Sequence, residues 1–207
     1  MREQLTKGLD ILKIEYDESK IDLCMAYCQL LLKWNKSFNL TAIKQPKQMV
    51  SHLLLDSLSI LPFVQGKKRL LDVGSGAGLP GVPLAIFMPA SEWVLCDSNG
   101  KKTRFIQQAS AELGLKNISV VNSRVQDYHQ QTFEVILSKA YASLADFVQS
   151  VNHLCTQDTV LLTLKSGLDA LEKKQANVPE SHIEEVFLSV PGVQESRSVV
   201  IIKEKNL

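Results

Sequence analysis

No run of apolar residues in this 207-residue chain is long enough to cross a bilayer as a helix. Met1-Arg2-Glu3-Gln4 leads into no apolar signal region, so a secreted or membrane-spanning product is not expected. There is no excess charge of one sign either, with 23 basic side chains against 22 acidic ones. That balance excludes a polycation that wraps nucleic acid by bulk attraction, and any nucleic-acid surface must be a local patch. Cysteine is scarce. Cys24, Cys28, Cys96 and Cys155 sit in apolar contexts, and no His or Cys partner stands at zinc spacing. Buried thiols in a reducing compartment are expected, with no disulfide and no metal site. Internal repeats and low-complexity tracts are absent. The expectation is a cytoplasmic globular protein with no membrane partner.

Glycine is sparse as well, ten in all, yet four of the ten fall between Gly74 and Gly81. The stretch Leu70-Leu71-Asp72-Val73-Gly74-Ser75-Gly76-Ala77-Gly78-Leu79-Pro80-Gly81 reads as a buried strand, a glycine loop and a helix start. Pro80 suits the first turn of a helix, where its missing N–H is not needed. Such a loop lets a ligand lie against main-chain N–H groups. Its ligand is ambiguous. Gly76-Ala77-Gly78-Leu79-Pro80-Gly81 fits the dinucleotide fingerprint, whereas Asp72 followed by Gly74, Gly76 and Gly78 resembles motif I of the S-adenosylmethionine (AdoMet) methyltransferases.

Residues 1 to about 65 look helical. Ile21, Met25, Cys28 and Leu32 recur at helical spacing, widened by Leu23, Tyr27, Leu30 and Trp34. Asp17 or Ser19 can cap this helix. Pro46 can open another, carrying Met49, Val50, Leu53, Leu54 and Leu58, with Pro62 closing it. Gly66-Lys67-Lys68 reads as a linker, dividing a helical extension (1–65) from a second domain (66–207). From Lys67 onward short apolar runs, Leu70–Val73, Trp93–Cys96, Ile118–Val121, Phe133–Leu137 and Val160–Leu164, alternate with helical stretches, Leu79–Met88, Lys101–Leu113, Leu144–Leu154 and Leu168–Gln175. That alternation predicts an α/β fold, a parallel sheet with helices on both faces. Ile183–Val190 and Ser198–Lys203, separated by a turn at Pro191-Gly192, predict a closing antiparallel hairpin.

In an open α/β sheet, ligands bind beyond the carboxyl ends of the strands. The residues there are Asp97 and Ser98 after the second run, Asn122 to Asp127 after the third, Ser138 to Tyr141 after the fourth, and Lys165 and Ser166 after the fifth. Asp97 stands 19 residues beyond Gly78, where a carboxylate can accept from ribose hydroxyls. Asp72, Asp97 and Asp127 can serve a cofactor with an amino group, a ribose and an adenine. Lys101, Lys102, Arg104, Arg124, Lys139 and Lys165 place positive charge beside it, and Arg197 can join them. Each lone cation reads first as a solvated surface charge, but basic residues after four successive strands point to a polyanionic substrate. His52-x-x-x-Asp56-Ser57 does not read as a catalytic triad, because Ser57 points away from Asp56 on a helix. His52 and Asp56, four apart, are expected to pair. Trp34 reads as a core anchor, and Asn35 to Asn39 as a helix stop.

Several blocks together resemble one family. They are Lys33-Trp34-Asn35-Lys36-x-x-Asn39-Leu40-Thr41, His52-x-x-x-Asp56-Ser57, the loop Asp72 to Gly81 continuing to Pro83-Leu84-Ala85, Asp97-Ser98-x-x-Lys101-Lys102-x-x-Phe105, Ser123-Arg124, Ser138-Lys139-Ala140, Leu164-Lys165, and Arg197-x-Val199-Val200-Ile201-Ile202-Lys203. In this order they resemble the RsmG (GidB) family of bacterial 16S rRNA (guanine-N7) methyltransferases, over nearly the whole chain. The chain departs from the family's usual pattern at Ser51, Lys139 and Ser198, where Arg, Arg and His are common. Lys keeps the charge of Arg but loses its planar fork.

The resemblance implies a Rossmann-like class I methyltransferase fold, a seven-stranded, mostly parallel sheet with a C-terminal hairpin. It implies methyl transfer from AdoMet to N7 of guanine 527, in the 530 loop of 16S rRNA. The substrate is 16S rRNA or the 30S subunit, and a monomer is expected. Gly74, Ser75, Gly76 and Gly78 would cradle the methionine part, Asp97 the ribose, and Arg124, Val125, Gln126 and Asp127 the adenine. Asp72, Leu79, Ser98 and Lys139 complete the expected cofactor contacts. Lys36, Lys101, Lys102, Arg104, Lys139, Lys165 and Arg197 are the expected RNA contacts. Guanine N7 carries a lone pair and no proton, so orientation suffices and no single catalytic side chain is expected. The fourth strand is accordingly followed by no Asn/Asp-Pro-Pro-Tyr motif. Two other readings stand beside this one. An AdoMet enzyme for a small molecule is opposed by the basic rim. A binding module or NAD-dependent oxidoreductase is opposed, for the oxidoreductase, by the terminal hairpin and the lack of a second substrate-sized domain.

Overall fold

A computed structural model describes residues 1–203 except Ala140, Ala142, Asp169 and Asn177. Ala140 of the Ser138-Lys139-Ala140 motif and Asp169 of the helical stretch Leu168–Gln175 therefore lie outside the described residues. The chain opens with helices α1 (Arg2–Ile11) and α2 (Glu18–Phe38). Asp17 caps α2 by accepting from the Lys20 N–H, as its side chain allows at that position. The buried face of α2 is Ile21, Cys24, Tyr27, Cys28, Leu31 and Asn35, one residue round from the expected Met25 and Leu32. Burial pushes the Cys28 thiol up to about 12 and Cys24 further still. Cys96 is buried and Cys155 partly so.

A continuous helical run follows. It comprises α3 (Pro46–Gln48), a π-helical segment (Met49–Leu55) and α4 (Asp56–Leu58). Pro62 does not end this run. It sits in the first turn of the next helix, α5 (Leu61–Val64), where proline is equally at home.

The seven described strands form one sheet in the order β3-β2-β1-β4-β5-β7-β6. β1 (Arg69–Val73), β2 (Glu92–Cys96), β3 (Ile118–Val121), β4 (Val135–Lys139) and β5 (Val160–Lys165) run parallel. β6 (Ile183–Phe187) and β7 (Ser198–Lys203) close the sheet antiparallel. Alternate residues of each central strand face opposite layers. Leu70, Leu95 and Leu137 join a core with the N-terminal helices, α6 (Gly81–Phe87) and α7 (Gly100–Glu112). Leu71, Cys96 and Ile136 join a second core with α8 (Leu144–Val151) and Ala176, just beyond α9 (Ala170–Gln175). Burial on both faces explains why these strands read as unbroken apolar runs. The first core takes in Leu5, Leu31 and Leu54 together with Val135 and Ile201, so the helical extension and the sheet share one interior.

The fourth strand starts two residues later than expected. The expected turn at Pro191-Gly192 forms, with the Val193 N–H donating to the Val190 carbonyl at 3.1 Å, but the hairpin is not tight, because the turn lies within a longer loop of residues 188–197. This loop folds back on the π segment, where Gly192 packs against Ser51. The sheet's order reverses between β1 and β4, which opens a crevice at their carboxyl ends.

Candidate active site

The glycine loop leaves β1 at that crevice, and most of its amides are already used. Gly74 and Ser75 donate to the Cys96 carbonyl, at 2.8 and 3.2 Å, and Gly78 donates to the Ser75 carbonyl at 2.8 Å. Gly76 donates to Asp97 Oδ2 at 2.8 Å. A pyrophosphate seat needs such amides free, so the loop is no phosphate cradle. The N-terminus of α6 is occupied too, since the Gly81 N–H donates to Asp72 Oδ2 at 2.9 Å. A Cβ at Gly81 would stand 2.7 Å from that oxygen, so the close approach requires glycine. Pro80 takes the N-cap position of α6, one residue before the expected first turn.

Asp72 is fully buried, and its Oδ1 has no hydrogen-bond partner. Desolvation raises its pKa to about 7, against the stabilising Gly81 N–H. It lies beneath the loop and shapes it, so the expected direct cofactor contact is corrected to a supporting one. The loop is held from above as well. Tyr27, on α2, donates its hydroxyl to the Ala77 carbonyl at 2.7 Å. The Tyr27 and Trp34 rings both pack against Phe105 of α7.

Beside the loop lies a cavity of about 420 Å³, a size usual for small-molecule sites. Gly74, Asp97, Ser98, Arg124, Val125 and Gln126, all expected cofactor contacts, line it together with Ser123, Lys102 and Tyr141. Asp97 is fixed by two backbone donors, Gly76 N–H on Oδ2 and Asn99 N–H on Oδ1 at 2.8 Å. Each oxygen keeps a lone pair for a ribose hydroxyl. Lys102 approaches Asp97 Oδ2 at 3.9 Å and lines this cavity, apart from the other cations expected to meet RNA. Ser75, Gly76, Gly78 and Leu79 build the loop without lining the cavity, and exposed Asp127 does not reach it. Tyr141 carries no motif signal beyond its place after β4.

A second cleft, of about 410 Å³, opens on the other side of β4. It is lined by Ile43, Leu53 and Leu164, with His52, Asp56, Lys139, Lys165, Ser166 and Arg197. Lys139 lines this cleft and not the cavity beside the loop, so the structure does not bring it together with the other expected cofactor contacts. Its Nζ lies 2.5 Å from Asp56 Oδ2 and donates to the His52 carbonyl at 3.1 Å. Lys165 is ion-paired with Glu172. Lys36, Lys101 and Arg104 are exposed on α2 and α7, away from this cleft.

His52 and Asp56 do not pair. His52 Nδ1 lies 2.7 Å from Ser51 Oγ, and its Nε2 is 3.7 Å from Glu195. The π segment explains the difference, because its i→i+5 bonding moves residues four apart out of alignment. Glu195 is held below the usual carboxylate range by its own backbone N–H, and by His52 and Arg197 nearby. The Trp-Asn-x-x-x-Asn-Leu-Thr motif proves structural. Asn39 ends α2 in the left-handed conformation. The Asn35 amide clamps the Thr41 backbone from both sides, at 2.9 and 3.0 Å, which steers the chain toward Ile43 at the cleft.

Among the described residues, no group of three His, Cys, Asp or Glu side chains is placed to hold a metal ion. No helix there is long and apolar enough to cross a membrane.

The strand order, the internally bonded glycine loop and the fixed Asp97 define the class I methyltransferase fold. A SAM-dependent methyltransferase from Aquifex aeolicus superposes with a TM-score of 0.58 at 16% identity, covering 79% of this chain and 96% of that one. A SAM-dependent O-methyltransferase from Thermotoga maritima gives 0.58 at 12% identity, covering 86% and 72%. The pattern of the rRNA small subunit methyltransferase G (GidB) family matches residues 20–200, and the chain belongs to that family. Ribosomal RNA small subunit methyltransferase G of Nitrosococcus oceani is 47% identical over 202 residues, 97% of this chain and 94% of that protein. Its namesake in Pseudomonas aeruginosa is 45% identical over 203 residues, again 97% and 94%.

Proposed function

We propose that this protein transfers the methyl group of AdoMet to N7 of a guanine in 16S rRNA, nucleotide 527 of the 530 loop. The observation that carries the reading is the pair of cavities flanking the crevice at the carboxyl edge of the sheet. One has the size and fixed carboxylate of a nucleoside site, and the other gathers Lys139, Lys165 and Arg197. The first suits AdoMet better than a dinucleotide, because most of the loop amides are spent within the protein.

Asp97, Ser98 and the Ser123–Gln126 segment would hold the nucleoside part, with Gly74 at the floor. AdoMet, when bound, supplies an electrophilic methyl group on sulfur. The remaining work is placement. Ile43, Leu53 and Leu164 offer apolar walls to a planar base, and Lys139 and Arg197 offer donors to its polar edge or phosphates. N7 attacks with its own lone pair, so no side chain must remove a proton, and near-attack alignment carries the rate.

On this reading residues 66–207 bind the cofactor, while residues 1–65 lock its loop and border the substrate cleft. The enzyme acts as a cytoplasmic monomer on 16S rRNA or the 30S subunit.

The test is methyl transfer from labelled AdoMet to 30S subunits from a strain lacking the endogenous enzyme, with the modified nucleoside identified and mapped. N7-methylguanosine at the 530 loop is expected. Label on another nucleotide or another atom overturns the target, and binding of NAD in place of AdoMet overturns the class of reaction.

A further inference from the structure

The cations of the substrate cleft are not free. Asp56 is buried, its side chain 2% exposed, and it stands between two of them. Its Oδ2 meets Lys139 Nζ at 2.5 Å, and its Oδ1 lies 3.3 Å from Arg197 Nε. The Oδ1 contact lacks hydrogen-bond geometry, so Arg197 is held there by charge, while its Nη1 donates to the Ser196 carbonyl at 3.0 Å. The three residues come from α4, the end of β4 and the loop before β7, and nothing in sequence spacing joins them.

A buried carboxylate stripped of both partners is strongly destabilising. Lys139 and Arg197 therefore cannot both swing away to distant phosphates. Resting on the rRNA reading above, we infer that Asp56 is a positioning residue for methyl transfer. It holds Lys139 and Arg197 side by side at the cleft wall, one carboxylate between two cations with a net charge of +1.

The inference makes an electrostatic prediction that a merely structural carboxylate does not. Removing the Asp56 charge raises the net charge of the cluster from +1 to +2. Binding of Asp56→Asn to 30S subunits should then fall more steeply with salt, by about one in the slope of log K against log salt. Its kcat should drop about tenfold or more, with AdoMet affinity within about twofold of wild type. Asp56→Glu should restore part of kcat. The double variant Asp56→Asn with Lys139→Gln supplies the second measurement should Asp56→Asn not fold. It removes one charge of each sign, so its salt slope should match wild type. With its closest partner gone Asp56 has little left to position, so the double variant should keep the kcat of Lys139→Gln within about threefold, whereas an independent role adds a further loss of about tenfold. A folded Asp56→Asn with wild-type kcat and slope, or a double variant about tenfold below Lys139→Gln in kcat, overturns the inference. Failure of the wild-type enzyme to label 30S subunits instead overturns the functional reading, and the two salt slopes still decide the place of Asp56.

Discussion

The hydroxyl of Tyr27 donates to the carbonyl of Ala77 at 2.7 Å, so a helix of the N-terminal extension fastens the glycine loop of the sheet. Both residues are buried. Tyr27→Phe keeps the ring packing and leaves the carbonyl without its donor, at a cost of about 1–2 kcal/mol. The expected result is a rise of about three- to tenfold in the AdoMet dissociation constant, measured by calorimetry. Unchanged affinity would show that the loop keeps its shape unaided.

Asp97 serves the loop and the cavity at once. Asp97→Ala removes the acceptor of the Gly76 and Asn99 amides and any bond to ribose. AdoMet affinity should fall about tenfold or more, with little effect on binding to 30S subunits. An equal loss of both would mean general misfolding of the crevice.

Lys139→Ala is expected to act on the other substrate. Methyl transfer should fall about tenfold or more while AdoMet affinity stays within about twofold. Asp56 would keep Arg197 as its sole cationic neighbour, so stability should drop by about 1–3 kcal/mol in urea denaturation, discounted for the partial exposure of Lys139. Wild-type turnover on 30S subunits would remove Lys139 from the reaction.

Asp72 makes stability depend on pH. Its carboxyl is raised from 3.8 to about 7 by burial, so between those values the folded state binds the extra proton. The contribution is fully present below about pH 4 and lost as pH rises through about 7. Asp72→Asn does not titrate, so its stability relative to wild type should improve from pH 5 to pH 8. A gap that stays constant over that range would place the carboxyl at its ordinary value.

The fold was legible because its signals are local. Runs such as Leu70–Val73, the four clustered glycines and the final pair of strands each carry their pattern within a few residues. The wall of the cavity beside the loop was legible for the same reason, since residues after parallel strands share an edge. What was not legible depends on long-range packing or on a change of helical period. The π segment separated His52 from Asp56, and no count of residues could reveal that Asp56 instead meets Lys139 and Arg197. Tyr27 read as one apolar position on a helix, and its hydroxyl's partner lies fifty residues away. Lys102 read as one more surface cation until Asp97 appeared beside it.

On the proposed reading the helical layer touches both substrates' sites through different residues, Tyr27 at the loop and Asp56 at the cleft, within one shared interior. Cofactor hold and substrate hold are therefore mechanically linked. Separating the extension from the sheet, as a modular swap between enzymes would require, removes a wall of the cleft and the tie on the glycine loop at a single cut.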